Sequence, residues 1–273
     1  MKTFPDGRLA VSDPRSLIIN VYDPQGEFLE SFSSQNTLFG PGVFQTGHSG
    51  NFYIRRVLRH TPDMPNWEYA WLKLSQEGEI VDTIHVPLDD EDREQAFVLF
   101  TASGNAYPFI EQPLSSLSPL GYLITGRNDR YSFQLNKPGK DPVLIEKKHA
   151  PVQVHPDEKA QWEAWKRRFG TSNIIPDIKP VYKDLITDSQ GRIWVWRYVE
   201  AEYTEKNIGP DVGPESRWWE RPTFDVYLPD GSFYATVILP WNASFREARD
   251  DKVWAVETGE LGEQYVVRYR LED

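Results

Sequence analysis

Five arginines recur where alternating apolar stretches give way to turns: Arg55 and Arg56, Arg127 and Arg130, and Arg197. Guanidinium forks gathered at one end of a set of strands are suited to carboxylates and other small anions. The same residues also have many acids to pair with, because the formal net charge is −11. Asn128, Asp129 and Glu257 are hard oxygen donors of the kind that hold Ca2+. Asn128-Asp129 equally has the composition of a turn. Trp218-Trp219 lies in a polar insert spanning 200–221 and is the candidate contact surface. Trp194 and Trp196 share one face of an alternating strand, which suits packing between sheets. The five histidines, His48, His60, His85, His149 and His155, form no His-x-His or His-x-x-x-His pair. No Gly-x-Ser-x-Gly elbow or phosphate-binding glycine loop occurs, and nothing points to a Ser-His-Asp triad.

Composition narrows the setting of these residues. The chain has 273 residues, 39% of them hydrophobic and 14% aromatic, enough for one large aromatic-rich β domain over 1–273. The 21 prolines and 18 glycines are spread along the chain, as many short strands joined by turns require. A pI near 5.0 argues against nucleic acid as the main partner, since phosphate binding needs a basic surface. No cysteine is present, so thiolate chemistry and disulfides are excluded. The first residues, Met1-Lys-Thr-Phe-Pro-Asp-Gly7, run into a turn with no apolar leader, and no stretch is apolar enough to predict a membrane span.

The elements that must position the arginines follow a repeated phrase of turn, strand, turn, strand. Its most complete copy is Asp188-Ser-Gln-Gly-Arg-Ile-Trp-Val-Trp196 with Phe224-Asp-Val-Tyr-Leu-Pro-Asp-Gly-Ser-Phe233. The first turn glycine recurs at Gly7, Gly50, Gly121 and Gly191, with Asp250-Asp251 in the fifth copy. The second recurs at Gly26, Gly78, Gly139 and Gly231. Tight hairpin turns need a residue at positive φ, which is why glycine falls there. A repeated four-stranded meander predicts a β-propeller blade. The reading is an all-β propeller with five recognisable units, an incomplete or minimally closed six-bladed type. Extended segments are expected at Ala96–Phe100 and Ala106–Ile110, an acidic solvated loop at 88–95, and a loop through Pro62 and Pro65.

Residues 156–169 break the pattern. Acids come first and bases last, and Trp162, Trp165 and Phe169 fall at i, i+3 and i+7, so a helix is predicted that docks over the sheets or meets a partner.

The phrases Pro5-Asp-Gly-Arg-Leu-Ala-Val-Ser-Asp13, Val21-Tyr-Asp-Pro-Gln-Gly-Glu-Phe-Leu29, Asp188–Val195 and Phe224–Gly231 resemble bacterial six-bladed β-propeller proteins related to NHL repeats. Gly126–Tyr131 and Glu260–Val266 resemble them also. The resemblance implies a fold and no settled activity. It also implies a periplasmic or extracellular setting if an N-terminal part precedes this chain. The function expected is a non-catalytic binding or protein-interaction scaffold for a protein or small anionic ligand, through Arg55, Arg56, Arg127, Arg130 and Arg197. The alternative is a calcium-dependent propeller hydrolase of the lactonase type, with Asn128, Asp129 and Glu257 on the metal.

Overall fold

The computed structural model describes residues 2–4, 6–13, 18–33, 44–47, 51–61, 64–75, 79–87, 109–169, 174–205, 217–259 and 262–272. Five antiparallel sheets follow one another along the chain in a propeller arrangement. Sheet one holds β1 (Lys2–Thr3), β2 (Leu9–Asp13), β3 (Ile18–Tyr22) and β4 (Phe28–Ser33). Sheet two holds β5 (Phe44–Thr46), β6 (Phe52–Thr61), β7 (Met64–Leu74) and β8 (Ile80–His85). Sheet three holds β9 (Pro113–Leu117), β10 (Leu123–Arg127), β11 (Ser132–Asn136) and β12 (Val143–Glu146). Sheet four is built from β13 (Tyr182–Thr187), β14 (Ile193–Arg197), β17 (Thr223–Tyr227) and β18 (Phe233–Ile238). Between its halves, β15 (Glu202–Tyr203) and β16 (Trp218–Trp219) pair as a small ribbon. Sheet five has three strands, β19 (Ala243–Arg249), β20 (Lys252–Thr258) and β21 (Gln264–Arg270).

The expected six-bladed type is corrected to five sheets among the described residues. Each sheet consumes one copy of the turn-strand phrase, and the chain carries five copies. The missed inner strands, β1 and β9, are short, and β9 opens on a proline. Neither offers enough alternation to be legible. Of the loop read through Pro62 and Pro65, Pro65 lies in β7 and Pro62 falls outside the described residues. β6 and β7 continue to a Thr61–Met64 pair, with bulges between Val57 and Arg59 and between Arg59 and Thr61. Phe109 is no strand residue. It bends the backbone at φ 60. The segments 88–95, Ala96–Phe100 and 106–108 lie outside the described residues.

Turn chemistry sets the register. Gly191 sits at φ 80 between β13 and β14, in the left-handed region that a side chain disfavours. In the fifth sheet the equivalent place is taken by Asp250 at φ 53. Aspartate is among the few side chains that tolerate this conformation, because its short carboxylate bonds locally.

Alternation along each strand sends side chains to both neighbouring sheets, so each junction has its own core. Ala10, Ile19 and Val21 of sheet one meet Phe44, Phe52 and Ile54 of sheet two. Tyr53 and Trp71 continue to Leu117 and Leu123 of sheet three. Ile124, Phe133 and Leu135 then meet Tyr182, Leu185 and Val195 of sheet four. Trp194, Phe224 and Val226 close on Ala243, Val253 and Ala255 of sheet five. Trp194 lies 4.8 Å from Phe245 and 5.8 Å from Phe224 between ring centres.

The predicted helix forms as α1 (Pro156–Phe169). Its start follows from capping: His155 Nδ1 accepts the Asp157 N–H at 3.2 Å, and Glu158 accepts the His155 N–H at 3.4 Å. Trp162 meets Phe109 edge-on at 6.4 Å. The side chains of Trp165 and Phe169 lie outside the described residues. Glu158 is tied to the sheet by Lys179, whose side chain is 0% exposed. The Lys179 ammonium donates to Glu158 (3.0 Å), Glu220 (2.8 Å) and the Val199 carbonyl (3.1 Å). Three donors thus meet three acceptors, the condition under which a buried ammonium is tolerated.

At Gly126 sheets three and four approach closely. A Cβ there would meet the Tyr182 hydroxyl, and would lie 2.9 Å from the Ser132 carbonyl oxygen. That hydroxyl donates to the same carbonyl at 3.0 Å. Gly126→Ala is therefore expected to cost about 1–3 kcal/mol in chemical denaturation, since backbone and a bonded hydroxyl must both shift.

Candidate functional site

The second-strand arginines fall into two sets. Arg56, Arg127 and Arg197 occupy the same place, six residues after the turn glycine of their sheets, and oppose Ala70, Pro113 and Tyr182 respectively. Arg55 precedes Arg56 and therefore points to the other face. Arg130 is exposed in the β10–β11 turn.

Arg197 joins a buried knot between sheets three and four. Its centre is Asp225, which is 0% exposed in the middle of the wholly buried β17. Its carboxylate accepts from the Tyr131 hydroxyl (2.7 Å), the Thr236 hydroxyl (2.7 Å) and the Lys147 ammonium (2.8 Å). Arg197 approaches at 3.5 Å, and Tyr227 donates to the Tyr131 oxygen at 3.1 Å. Burial works to raise the Asp225 carboxyl. The bonds from Lys147, Tyr131 and Thr236, with the Arg197 charge, outweigh it and hold the group below its ordinary range. Beside the knot, burial and then the charge of Arg197 push His149 down.

Arg55 enters a different environment, at the junction of sheets two and three. Its guanidinium lies over the Tyr69 ring at 4.8 Å. It opposes Trp71 across the β6–β7 pair. Trp71 is 2% exposed and packs with Leu117 of β9. Ser115, two residues before Leu117, shares that face of β9. Arg55 Nε, Trp71 Nε1 and Ser115 Oγ are all buried and all lack a hydrogen-bond partner among the described residues, as does Arg56 Nε. An unmatched buried donor typically costs about 1–3 kcal/mol, so polar groups gathered without acceptors need an explanation.

Asp184 of β13 keeps part of its surface accessible. A bulge between Tyr182 and Asp184 re-aims this carboxylate away from the core line of β13. Arg55 and Lys2 of β1 act on it electrostatically, without any approach within ion-pair distance. Burial dominates and raises its pKa from 3.8 to about 6. Lys2 also acts on Glu247 of β19, another carboxyl raised by burial. The first strands of sheets one, four and five thus carry Lys2, Asp184 and Glu247, while Arg55 lies on the second strand of sheet two.

The remaining expected site residues fall elsewhere. Asn128 is 1% exposed and fully used by the backbone. Its carboxamide accepts the Gln112 N–H at 2.6 Å and donates to Ile110 (3.1 Å) and Tyr182 (3.0 Å) carbonyls. Asp129 is exposed, and Glu257 accepts the Tyr269 hydroxyl. Among the described residues no three Asp, Glu or His side chains are grouped to hold a metal ion. Asn128 and Asp129 follow β10 in sheet three, whereas Glu257 lies on β20 of sheet five. Trp218 stacks on His155 at 3.7 Å and meets Tyr203 edge-on, so the ribbon is fastened to the start of α1. Trp218 and Trp219 are both half-buried there.

Sequence reasoning passed over Trp71, Ser115, Asp184, Glu247 and Asp225. One signal was available: Asp225 is a lone acid inside Thr-Phe-Asp-Val-Tyr, where solvent exposure is implausible for so apolar a strand.

No family model matches the chain, and no curated protein matches it. Among solved structures, a member of the DUF4221 family from Bacteroides vulgatus is 11% identical at TM-score 0.43, over 97% of this chain and 76% of that one. A streptogramin B lyase structure is 9% identical at TM-score 0.38, over 100% of this chain and 82% of that one. Virginiamycin B lyase from Staphylococcus aureus is 10% identical at TM-score 0.38, over 100% and 83%. Likenesses this distant say nothing of this chain's chemistry. Among the described residues no helix is long and apolar enough to cross a membrane.

Two outcomes separate the clusters. Asp225→Ala leaves Lys147 and Arg197 without their counter-charge and is expected to cost about 3–5 kcal/mol by denaturant titration. Asp184 works in the opposite sense. Its folded pKa of about 6 exceeds the ordinary 3.8, so the folded state holds its proton more tightly. Stability falls as pH rises from about 4 to about 6, and Asp184→Asn should remove that slope, with a gain on the order of 1–2 kcal/mol at pH 8.

Proposed function

We propose that the protein is a non-catalytic binding scaffold whose ligand presents a carboxylate, or a similar small oxyanion, to Arg55 at the junction between sheets two and three. The observation that carries this reading is the gathering of buried Arg55 Nε, Trp71 Nε1 and Ser115 Oγ without acceptors. Arg192, Trp196 and Arg197 also keep one buried nitrogen each without a partner, but Arg192 and Arg197 reach a carboxylate through another nitrogen, which Arg55 does not. Here the groups await an acceptor that the described residues do not supply. Arg55 is suited to the task because its guanidinium stays charged although burial lowers its pKa, and because the Tyr69 ring fixes its plane. The ligand's carboxylate belongs to a small molecule or to a peptide of a protein partner. Arg56, Arg127 and Arg130, at the same end of the second strands, supply a cationic approach in an otherwise acidic molecule.

Calorimetric titration of the full chain with acetate, succinate and phosphate tests the reading. One of these anions should bind, and Arg55→Gln should weaken it about tenfold or more. Trp71→Phe, which keeps the ring and removes the N–H, should weaken it less. Arg197→Gln should leave affinity within about twofold, since Arg197 is engaged by Asp225. Unchanged affinity in Arg55→Gln would overturn the assignment.

A further inference from the structure

A cleft of about 500 Å³ opens between sheets two and three, within the ~300–1,000 Å³ range of small-molecule sites. Strand register builds its two walls. Tyr53, Lys73 and Asp82 stand in one row across β6, β7 and β8, with Ile84 on the same face. Leu123 and Asn136, paired across β10 and β11, line the other wall. The row in sheet two starts three residues after the first turn glycine. The middle of the matching row is Val21 in sheet one, Leu135 in sheet three and Val226 in sheet four, each 0% exposed. Sheet two puts Lys73 there, half-buried and with no hydrogen bond or ion pair among the described residues. On the other wall, the place of Asn136 is taken by Tyr22, Leu74 and Tyr227 in sheets one, two and four. Both walls thus carry a polar side chain where their sister sheets are apolar or aromatic, and each forgoes the burial its counterparts gain. The next junction is filled at the matching turn: a Cβ on Gly191 would lie 2.8 Å from Leu120, whereas one on Gly121 would lie 3.7 Å from the Tyr53 hydroxyl.

The polar groups of the cleft have both hydrogen-bonding senses. Lys73 offers three donors and no acceptor. Asn136 spends its amide nitrogen on the Leu123 carbonyl (3.4 Å) and the Thr125 hydroxyl (3.0 Å), and its oxygen makes no hydrogen bond among the described residues. Asp82 Oδ1 accepts the Thr83 N–H at 2.8 Å, and its second oxygen makes no hydrogen bond among the described residues. Lys73 and Asp82 sum to no net charge. Tyr53, Ile84 and Leu123, members of one apolar cluster, supply the apolar surface. A purely apolar solute would strip water from Lys73 and Asp82 without return. An anion would meet Asp82, and a cation would meet Lys73. A hydroxyl donates and accepts at once, so a ring bearing several of them serves both. We infer that the cleft is a second binding site and that its ligand is a neutral sugar, with hydroxyls on Lys73, Asp82 and Asn136 and a C–H face against Tyr53. Neither Arg55 nor a carboxylate takes part, so this site stands or falls apart from the one proposed above.

Calorimetry and ligand-observed NMR on the full chain provide the test. The probes are glucose, galactose, mannose, N-acetylglucosamine, maltose and cellobiose, against cyclohexanol as a ring with a single hydroxyl. At least one sugar should bind with a dissociation constant on the order of 1 mM or lower, and about tenfold more tightly than cyclohexanol. Lys73→Leu, which restores the aliphatic residue of the sister sheets, should abolish that binding while the thermal midpoint stays level or rises. Asp82→Asn keeps the shape, removes the charge and should weaken binding about threefold or more. Arg268→Gln, on the exposed strand β21, should leave it unchanged. Sugar binding that survives in Lys73→Leu would overturn the site. Cyclohexanol binding as tightly as every sugar would overturn the ligand class. Failure of every sugar to bind, with thermal unfolding showing an intact protein, would overturn both and leave the carboxylate reading at Arg55 standing.

Discussion

Burial on two faces is the constraint from which the rest follows. A sheet in this arrangement packs against the sheet before it and the sheet after it, so both sides of a central strand must be apolar or fully bonded. β17 shows the extreme, buried at every position from Thr223 to Tyr227. Aromatic residues dominate the junctions because few other side chains span the gap between twisted sheets while keeping contact along its length. The same geometry leaves little tolerance for a polar group. Any side chain that reaches a junction with hydrogen-bonding capacity must find its complement there.

Two junctions answer that demand in opposite ways. Between sheets three and four, one carboxylate collects three short hydrogen bonds and a nearby guanidinium, and the result is a rigid fastening. Between sheets two and three, Arg55, Trp71 and Ser115 bring donors into the interior that find no acceptor among the described residues. The first pattern surrounds a carboxylate with donors, and the second leaves donors unmatched among the described residues. Residue type alone does not distinguish them, since each contains an arginine from the same end of a second strand.

The fold was largely legible because turn glycines and period-two alternation are local signals. The helix was legible for the same reason: Pro156, the acids after it and the aromatic spacing all belong to one short stretch. β1 and β9 were not, because two to five residues cannot show a period. The site was legible only as a set of arginines. Equivalence of Arg56, Arg127 and Arg197 could be counted from the turn glycines, but which neighbour each met depends on pairing between distant sheets. Asp184 was hidden by a bulge, which shifts a carboxylate from the core line toward the axis without leaving a mark in the alternation. Asn128 is ambiguous for a related reason. Its amide holds three backbone groups from separate segments, a structural duty that composition cannot tell from metal ligation.

Lys179 gives the region around α1 a particular kind of behaviour. Its ammonium holds a glutamate from the helix and another from the end of the polar insert, while the His155–Trp218 stack joins the same two pieces from the other side. Releasing either piece alone would take away one of the two carboxylates that share the buried ammonium. Helix and ribbon are thereby coupled through a single lysine, so loosening one weakens the hold on the other.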